Sequence, residues 1–134
     1  MAAQMLNRAK QGVLESTQWL SRSDIARLTS VDGNGAADYL SEWLRERQIF
    51  SISHNGGEYF PSYALNGLAG YRPIEAMTDI LHAFGATKDS WGVAFWFASV
   101  NSYLGGKRPQ DLLATDPDQV VAAAFDERQG VPHG

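Results

Sequence analysis

The side chains with the most obvious capacity for chemistry are His54, His82 and His133, the run Asp32-Gly-Asn-Gly35 and the run Gly105-Gly-Lys107. Each suggests a ligand or a reaction, and each fails on spacing. A zinc site needs several His, Cys or carboxylate ligands at separations that a turn or a helix can converge. His54 falls in a turn, His82 in a helical pattern beside Ile80 and Leu81, and His133 near the end of the chain, none with a ligand-spaced partner. Asp32-Gly-Asn-Gly35 begins like a calcium loop. Ala36 then stands at the next ligand position, Ala37 at the position that requires glycine and Trp43 at the terminal glutamate, so the run reads as a turn. Gly105-Gly-Lys107 shares the end of a phosphate loop, but the glycine five residues before Gly106 is missing and Arg108 replaces Ser or Thr. Cys is absent, which excludes disulfides and thiolate nucleophiles. No convergent set of titratable groups emerges, so no enzyme, cofactor or metal is expected.

Two constellations survive. The first is polar and basic. A helix in the major groove reads base edges with Asn, Ser and Arg, which makes Asn34, Ser41 and Arg45 candidates, while Arg22 and Arg27 are placed to meet phosphate. Charge works against this. The net charge is -4, and the first 61 residues hold six basic against seven acidic groups, so DNA binding would have to rely on a local patch. Asp38, Glu42 and Glu46 share the helix of Ser41 and Arg45 and would repel phosphate. The second constellation is the run Tyr103-Leu-Gly-Gly-Lys-Arg-Pro109. Gly105 and Gly106 can take positive φ and turn the chain sharply, and Pro109 fits a first helical position. Lys107 and Arg108 would then stand out as two cations on a rigid turn.

The elements that must position these residues follow from periodicity. Met5, Leu6, Ala9 and Val13 recur at helical spacing. Ser21-Arg-Ser-Asp24 resembles a capping box with Asp in place of Glu, opening a helix with Ile25 and Leu28 on its core side. A third helix, with Ala36, Ala37, Leu40, Trp43 and Leu44 on one face, runs to about Gln48. Two β-prone runs, 49–53 and 58–60, flank His54-Asn-Gly-Gly57, a hairpin signal. Ser62 to Tyr71, with Gly67 and Gly70, reads as a linker. Pro73 then starts a helix carrying Ile74, Met77, Leu81 and Phe84 to a stop at Gly85. Asp89 to Ala98 is apolar nearly all round and therefore buried, and a last helix is capped by Asp116-Pro117 with Val120, Val121, Ala124 and Phe125 on its buried face. The fold class predicted is mainly α with a small β-hairpin: a winged helix-turn-helix-like lobe over 1–61, a linker over 62–72, a helical bundle over 73–128 and a flexible tail over 129–134. A chain of 134 residues suits one compact domain or two small lobes sharing a core. No run approaches the roughly 20 apolar residues of a membrane span, and the first ten residues lack a signal-type apolar core, so a cytoplasmic protein is expected.

The second constellation carries a resemblance. Trp96, then Asn101, then Leu104-Gly-Gly-Lys-Arg-Pro109, then Leu112-Leu113 and a capped helix ending in Ala122-Ala-Ala124 resemble the toxin-binding domain of Xre/MbcA/ParS-type antitoxins. That family shows a Trp, an Asn, a Leu-Gly-Gly-x-x-Pro run and Leu-Leu in this order. The match covers about residues 73–128 and departs at Val100, where the family usually has Pro. The resemblance implies a cognate toxin as partner, usually a RES-domain toxin that consumes NAD, together with autorepression through a helix-turn-helix lobe bound to operator DNA, and homo-oligomerisation. The candidate partner contacts are Asn101, Leu104, Gly105, Gly106, Lys107, Arg108, Pro109 and, in the tail, Arg128. A second reading is an orphan protein-binding adaptor that never touches DNA.

Overall fold

The computed structural model describes residues 2–29 and 36–129. It is mostly helical with a small antiparallel sheet, as the sequence predicts. The first lobe runs α1 (Ala2–Ser16), β1 (Trp19–Leu20), α2 (Arg22–Thr29), α3 (Ala36–Arg45), β2 (Ile52–His54) and β3 (Gly57–Pro61). The hairpin is closed by Asn55 and Gly56, both at positive φ (49° and 79°), the geometry of the tight turns that match strand twist. The sheet has three strands in the order β1-β3-β2, because the two-residue β1 pairs Leu20 with Phe60 and Trp19 with Pro61. At the start of α2, the Ser21 backbone N–H donates to the Asp24 carboxylate (2.9 Å) and the Asp24 N–H donates to the Ser21 hydroxyl (3.1 Å). This is the reciprocal capping box that the sequence announces.

Residues 62–72 are not an open linker. They fold into two single-turn 3-10 segments, Ser62–Ala64 and Gly67–Ala69, alternating with the short paired strands β4 (Leu65–Asn66) and β5 (Arg72–Pro73). Ala64 and Leu65 are buried, and Ile74 N–H donates to the Ala64 carbonyl at 2.8 Å. Pro73 therefore sits in a strand pair, and the next helix starts two residues later.

The second lobe comprises α4 (Glu75–Phe84), α5 (Ser90–Ala98), a 3-10 turn (Ser102–Leu104), α6 (Pro109–Leu112) and α7 (Pro117–Arg128). The helix α4 packs along α7. Gly85 ends α4 at φ 54°, and Asp89 caps α5 by accepting from the Gly92 N–H at 2.7 Å. Gln129, assigned to the tail, forms the C-cap of α7. No helix among the described residues is long and apolar enough to cross a membrane.

The two lobes share one core. Phe60, Phe84 and Phe97 are fully buried, and each such side chain contributes roughly 1.5–3 kcal/mol by leaving water. Phe97 is the joint: its ring lies 6.0 Å from Phe50, 4.8 Å from Tyr63 and 5.1 Å from Trp96. Polar bonds reinforce the junction. Gln110 donates to the Ser16 carbonyl at 2.9 Å, and the Arg47 guanidinium reaches the Leu81 and Gly85 carbonyls at 2.9 and 3.1 Å, satisfying the open end of α4.

Some apolar positions that the periodicity aligns with core faces are outside it. Leu28 and Phe125 are exposed, and in α1 the apolar stripe enters the core only at Val13, leaving Met5, Leu6 and Ala9 in solvent. Periodicity identifies the apolar face of a helix, but a neighbouring element must cover that face for it to be buried.

Candidate partner-binding surface

The strongest sequence signal becomes a closed turn between α5 and α6. Asn101 organises it. Its side chain accepts from the Tyr103 N–H at 2.9 Å, its carbonyl accepts from the N–H of Leu104 (3.1 Å) and of Gly106 (2.9 Å), and its own N–H donates to the Lys107 carbonyl at 3.0 Å. Gly105 and Gly106 follow at φ 69° and 83°, the left-handed conformation for which glycine is chosen. Leu104 and Pro109 are buried, so they anchor the turn and are not contact residues. Gly105, Gly106 and Lys107 are exposed.

Arg108 departs from expectation. It makes a bidentate pair with Asp111 in the first turn of α6, at 2.8 and 3.0 Å. That hydrogen bond holds its pKa above the ordinary arginine value. Its charge is offset locally, and Lys107 is left as the outward cation of the turn. Arg128 is exposed at the last turn of α7.

Exposed apolar side chains border this turn, and of these only Tyr103 lies in the run that the sequence singles out. Val100 is 73% exposed, a large fraction for a valine, and Tyr103 and Phe125 are also exposed. Tyr103 lies in the 3-10 turn that packs against α7, the helix of Phe125. Phe125 falls on the apolar stripe of its helix, which reads as core, and Val100 stands out in the sequence only as the departure from the family's Pro.

The DNA candidates fare differently. Asn34 lies outside the described residues. Ser41 and Arg45 are exposed one turn apart on α3. The Arg22 Nε lies 2.7 Å from a Glu58 carboxylate oxygen, and the guanidinium covers the Phe60 ring at 5.8 Å. Arg27 is paired with Asp24. The Asp24 carboxyl is held below its ordinary range, chiefly by the Ser21 backbone N–H and then the Ser21 hydroxyl, with Arg27 adding to the effect. The structure thus brings Arg22, Ser41 and Arg45 onto the winged lobe but supplies two of its three described candidate cations with internal anions.

The wing is also held. The Trp91 indole N–H at the start of α5 donates to the Ser53 carbonyl on β2 at 3.1 Å. The His54 ring stands edge-on to Trp91 at 6.5 Å, and the Lys10 ammonium lies 4.8 Å over that indole. The edge strand of the wing is therefore fastened to α5, and α1 in turn reaches α5 through Lys10. Elsewhere, the Tyr63 hydroxyl is buried with no hydrogen-bond partner among the described residues, and desolvation pushes its pKa well above the ordinary tyrosine value. His82 is exposed on α4, and His133 is outside the described residues. Among the described residues no group of His, Asp and Glu is arranged to hold a metal ion.

No family model, no curated protein and no solved structure matches this chain.

Proposed function

We propose that this protein is a non-enzymatic, antitoxin-like cytoplasmic regulator whose helical lobe, residues 73–128, binds and neutralises a partner protein. The resemblance in that lobe makes a RES-type, NAD-consuming toxin the expected partner. The observation that carries the reading is the Asn101–Pro109 turn. Its backbone bonds are closed within the turn, and Lys107, Val100, Tyr103 and Phe125 are exposed on it and on the neighbouring helix. A preorganised surface loses little conformational entropy on binding, and an aromatic and aliphatic patch beside a cation has the composition of an interface anchor.

Co-expression with the product of the adjacent gene tests the proposal. The expected result is relief of toxicity and a stable complex that Y103A/K107E weakens by about tenfold or more. An untouched toxicity and no complex would overturn it.

Operator binding is the second half of the proposal and rests on Ser41 and Arg45 of α3. The competing reading, an adaptor that binds only protein, is favoured by one observation: Arg22 and Arg27 already face Glu58 and Asp24. A gel shift on the upstream promoter across a salt series separates the two, because phosphate binding weakens steeply with salt.

A further inference from the structure

The Asn101 turn has a counterpart. Asn66-Gly-Leu-Ala-Gly-Tyr-Arg72 and Asn101-Ser-Tyr-Leu-Gly-Gly-Lys107 share Asn at the first position, Gly at the fifth and a cation at the seventh. They also share a backbone. In each, the Asn side chain accepts from the N–H of the third residue, Leu68 at 3.0 Å and Tyr103 at 2.9 Å. A 3-10 turn follows the Asn and ends at a left-handed glycine, Gly70 at φ 70° and Gly105 at φ 69°. The sixth residue is left-handed too, and its N–H donates to the Asn carbonyl: Tyr71 (φ 59°) at 2.8 Å and Gly106 (φ 83°) at 2.9 Å. The seventh residue closes the neck by backbone pairing with the Asn, Arg72 with Asn66 and Lys107 with Asn101.

Two turns of one design display the same two groups at the same positions. The third residue is an exposed apolar side chain, Leu68 or Tyr103, and the seventh an exposed cation, Arg72 or Lys107. Leu68 is 101% exposed, so its side chain contributes nothing to the core. The turn that carries it is nevertheless fixed. Tyr71 packs partly buried against the core, and it holds a positive φ that a bulky residue keeps only where the surroundings impose it. Neither Arg72 nor Lys107 has a carboxylate partner among the described residues. One aliphatic tip and one cation are too little for a bilayer surface, which takes a continuous apolar helix face or a cluster of basic residues. They suit a protein surface that offers an apolar pocket with a carboxylate on its rim.

We infer that the 66–72 turn is a second contact for the partner protein of the helical lobe, a contact that rests on the partner-binding role proposed above and lies outside residues 73–128. Leu68 enters an apolar pocket of that partner, and Arg72 meets a carboxylate at the pocket's rim. The two turns are mounted on one scaffold. Helix α4 begins three residues after Arg72 and ends at Phe84, whose ring meets Trp96 at 4.9 Å, five residues before Asn101. This helix is about 15 Å long at 1.5 Å per residue, a distance that a partner burying the usual ~800 Å² per side spans. Two contacts on one rigid frame reinforce each other, because the second forms at high effective concentration once the first is made.

Titration calorimetry of the full chain against the product of the adjacent gene tests it, with far-UV circular dichroism confirming the fold of each variant. L68A and R72E should each weaken the complex by about tenfold. Both should leave the melting temperature nearly unchanged, because both side chains are in solvent. A photo-reactive benzophenone amino acid in place of Leu68 should cross-link to the partner protein on irradiation. If L68A and R72E bind like wild type while Y103A/K107E weakens the complex, the second contact is overturned and the partner-binding reading stands. A partner that does not cross-link from position 68 would likewise overturn the second contact alone. A wild type that forms no complex would overturn both.

Discussion

The turn at Asn101–Pro109 and the helix-turn-helix face occupy the same small protein and use their polar groups in opposite ways. In the turn, the internal hydrogen bonds are made mainly by backbone groups and by one asparagine side chain. Lys107, Tyr103 and Val100 are thereby left on the surface of a fixed frame. On the helix-turn-helix face, the charged side chains themselves carry the internal bonds: Arg22 to Glu58, and Arg27 to Asp24. The first surface is rigid with its side chains outward. The second has much of its positive charge offset by neighbours. A surface that has to attract phosphate needs unpaired cations, whereas one that has to fit a protein needs a stable shape with an apolar centre. Under the proposed function, the turn is therefore the expected recognition site.

The largest expected effect tests whether the two surfaces stand on one frame. Phe97→Ala removes the ring that touches Phe50 and Tyr63 on one side and Trp96 on the other. Truncating a fully buried Phe costs about 3–5 kcal/mol, a large part of the roughly 5–15 kcal/mol available to a domain. Denaturant unfolding should show one transition, shifted as a whole, by both tryptophan fluorescence and circular dichroism. Two separable transitions would break the comparison, because the surfaces would then belong to independent units.

Next come the glycines of the turn. Nothing lies within 4 Å of a Cβ built at Gly105 or Gly106, so Gly→Ala at either position costs only the backbone penalty of positive φ, about 1–2 kcal/mol. G106A should lower the melting temperature and weaken the partner complex. G106N should recover most of both, because Asn tolerates the left-handed region. Equal damage from the two substitutions would mean that a side chain, not the backbone angle, is what the turn rejects.

Much of the local architecture was legible because its causes lie within four or five residues. Ser21 and Asp24 name their own capping box, Asn55-Gly56 names a tight hairpin turn, and Gly105-Gly106 names a left-handed reversal. What was not legible depends on partners far along the chain. The strand Trp19–Leu20 is too short to show alternation and exists because Phe60 and Pro61 lie beside it. Arg22 looks like a free cation until Glu58, 36 residues on, arrives on β3. Phe125 and Leu28 fit the apolar stripes of their helices, and only the packing of other elements leaves them exposed. Arg108 is the instructive exception. Its partner Asp111 is three residues away, so the offset of its charge was within reach of a helix-spacing argument.

The capping box gives a pH-dependent probe of the winged lobe. The Asp24 carboxyl has a folded pKa below its ordinary 3.8. A depressed folded pKa contributes stability that is fully present above the unfolded value and is lost as pH falls through the folded one. The acid limb of the stability profile should therefore include a loss below about 3.8, and Asp24→Asn should flatten that part of the limb while lowering stability at neutral pH. A limb unchanged by the substitution would remove Asp24 as a contributor.

The smallest effect separates the cations of the helix-turn-helix face. Arg22 and Glu58 form a partly exposed pair, with side chains 43% and 35% accessible. Such pairs are worth less than about 1 kcal/mol, so Arg22→Ala should move the melting temperature only slightly. Its consequence for DNA is the sharper measurement. Each cation that neutralises a phosphate adds about one to the salt slope of binding. With Glu58 beside it, Arg22 has little net charge to offer, and leaving Glu58 for phosphate would take away that carboxylate's cation and leave it the hydrogen bond donated by the Ser51 hydroxyl at 2.8 Å. In any operator complex, Arg45→Ala should therefore reduce the slope by about one and Arg22→Ala should leave it unchanged. The reverse order would show that DNA breaks the Arg22–Glu58 pair, and the winged lobe would then have to be treated as a reader whose charges are released on binding.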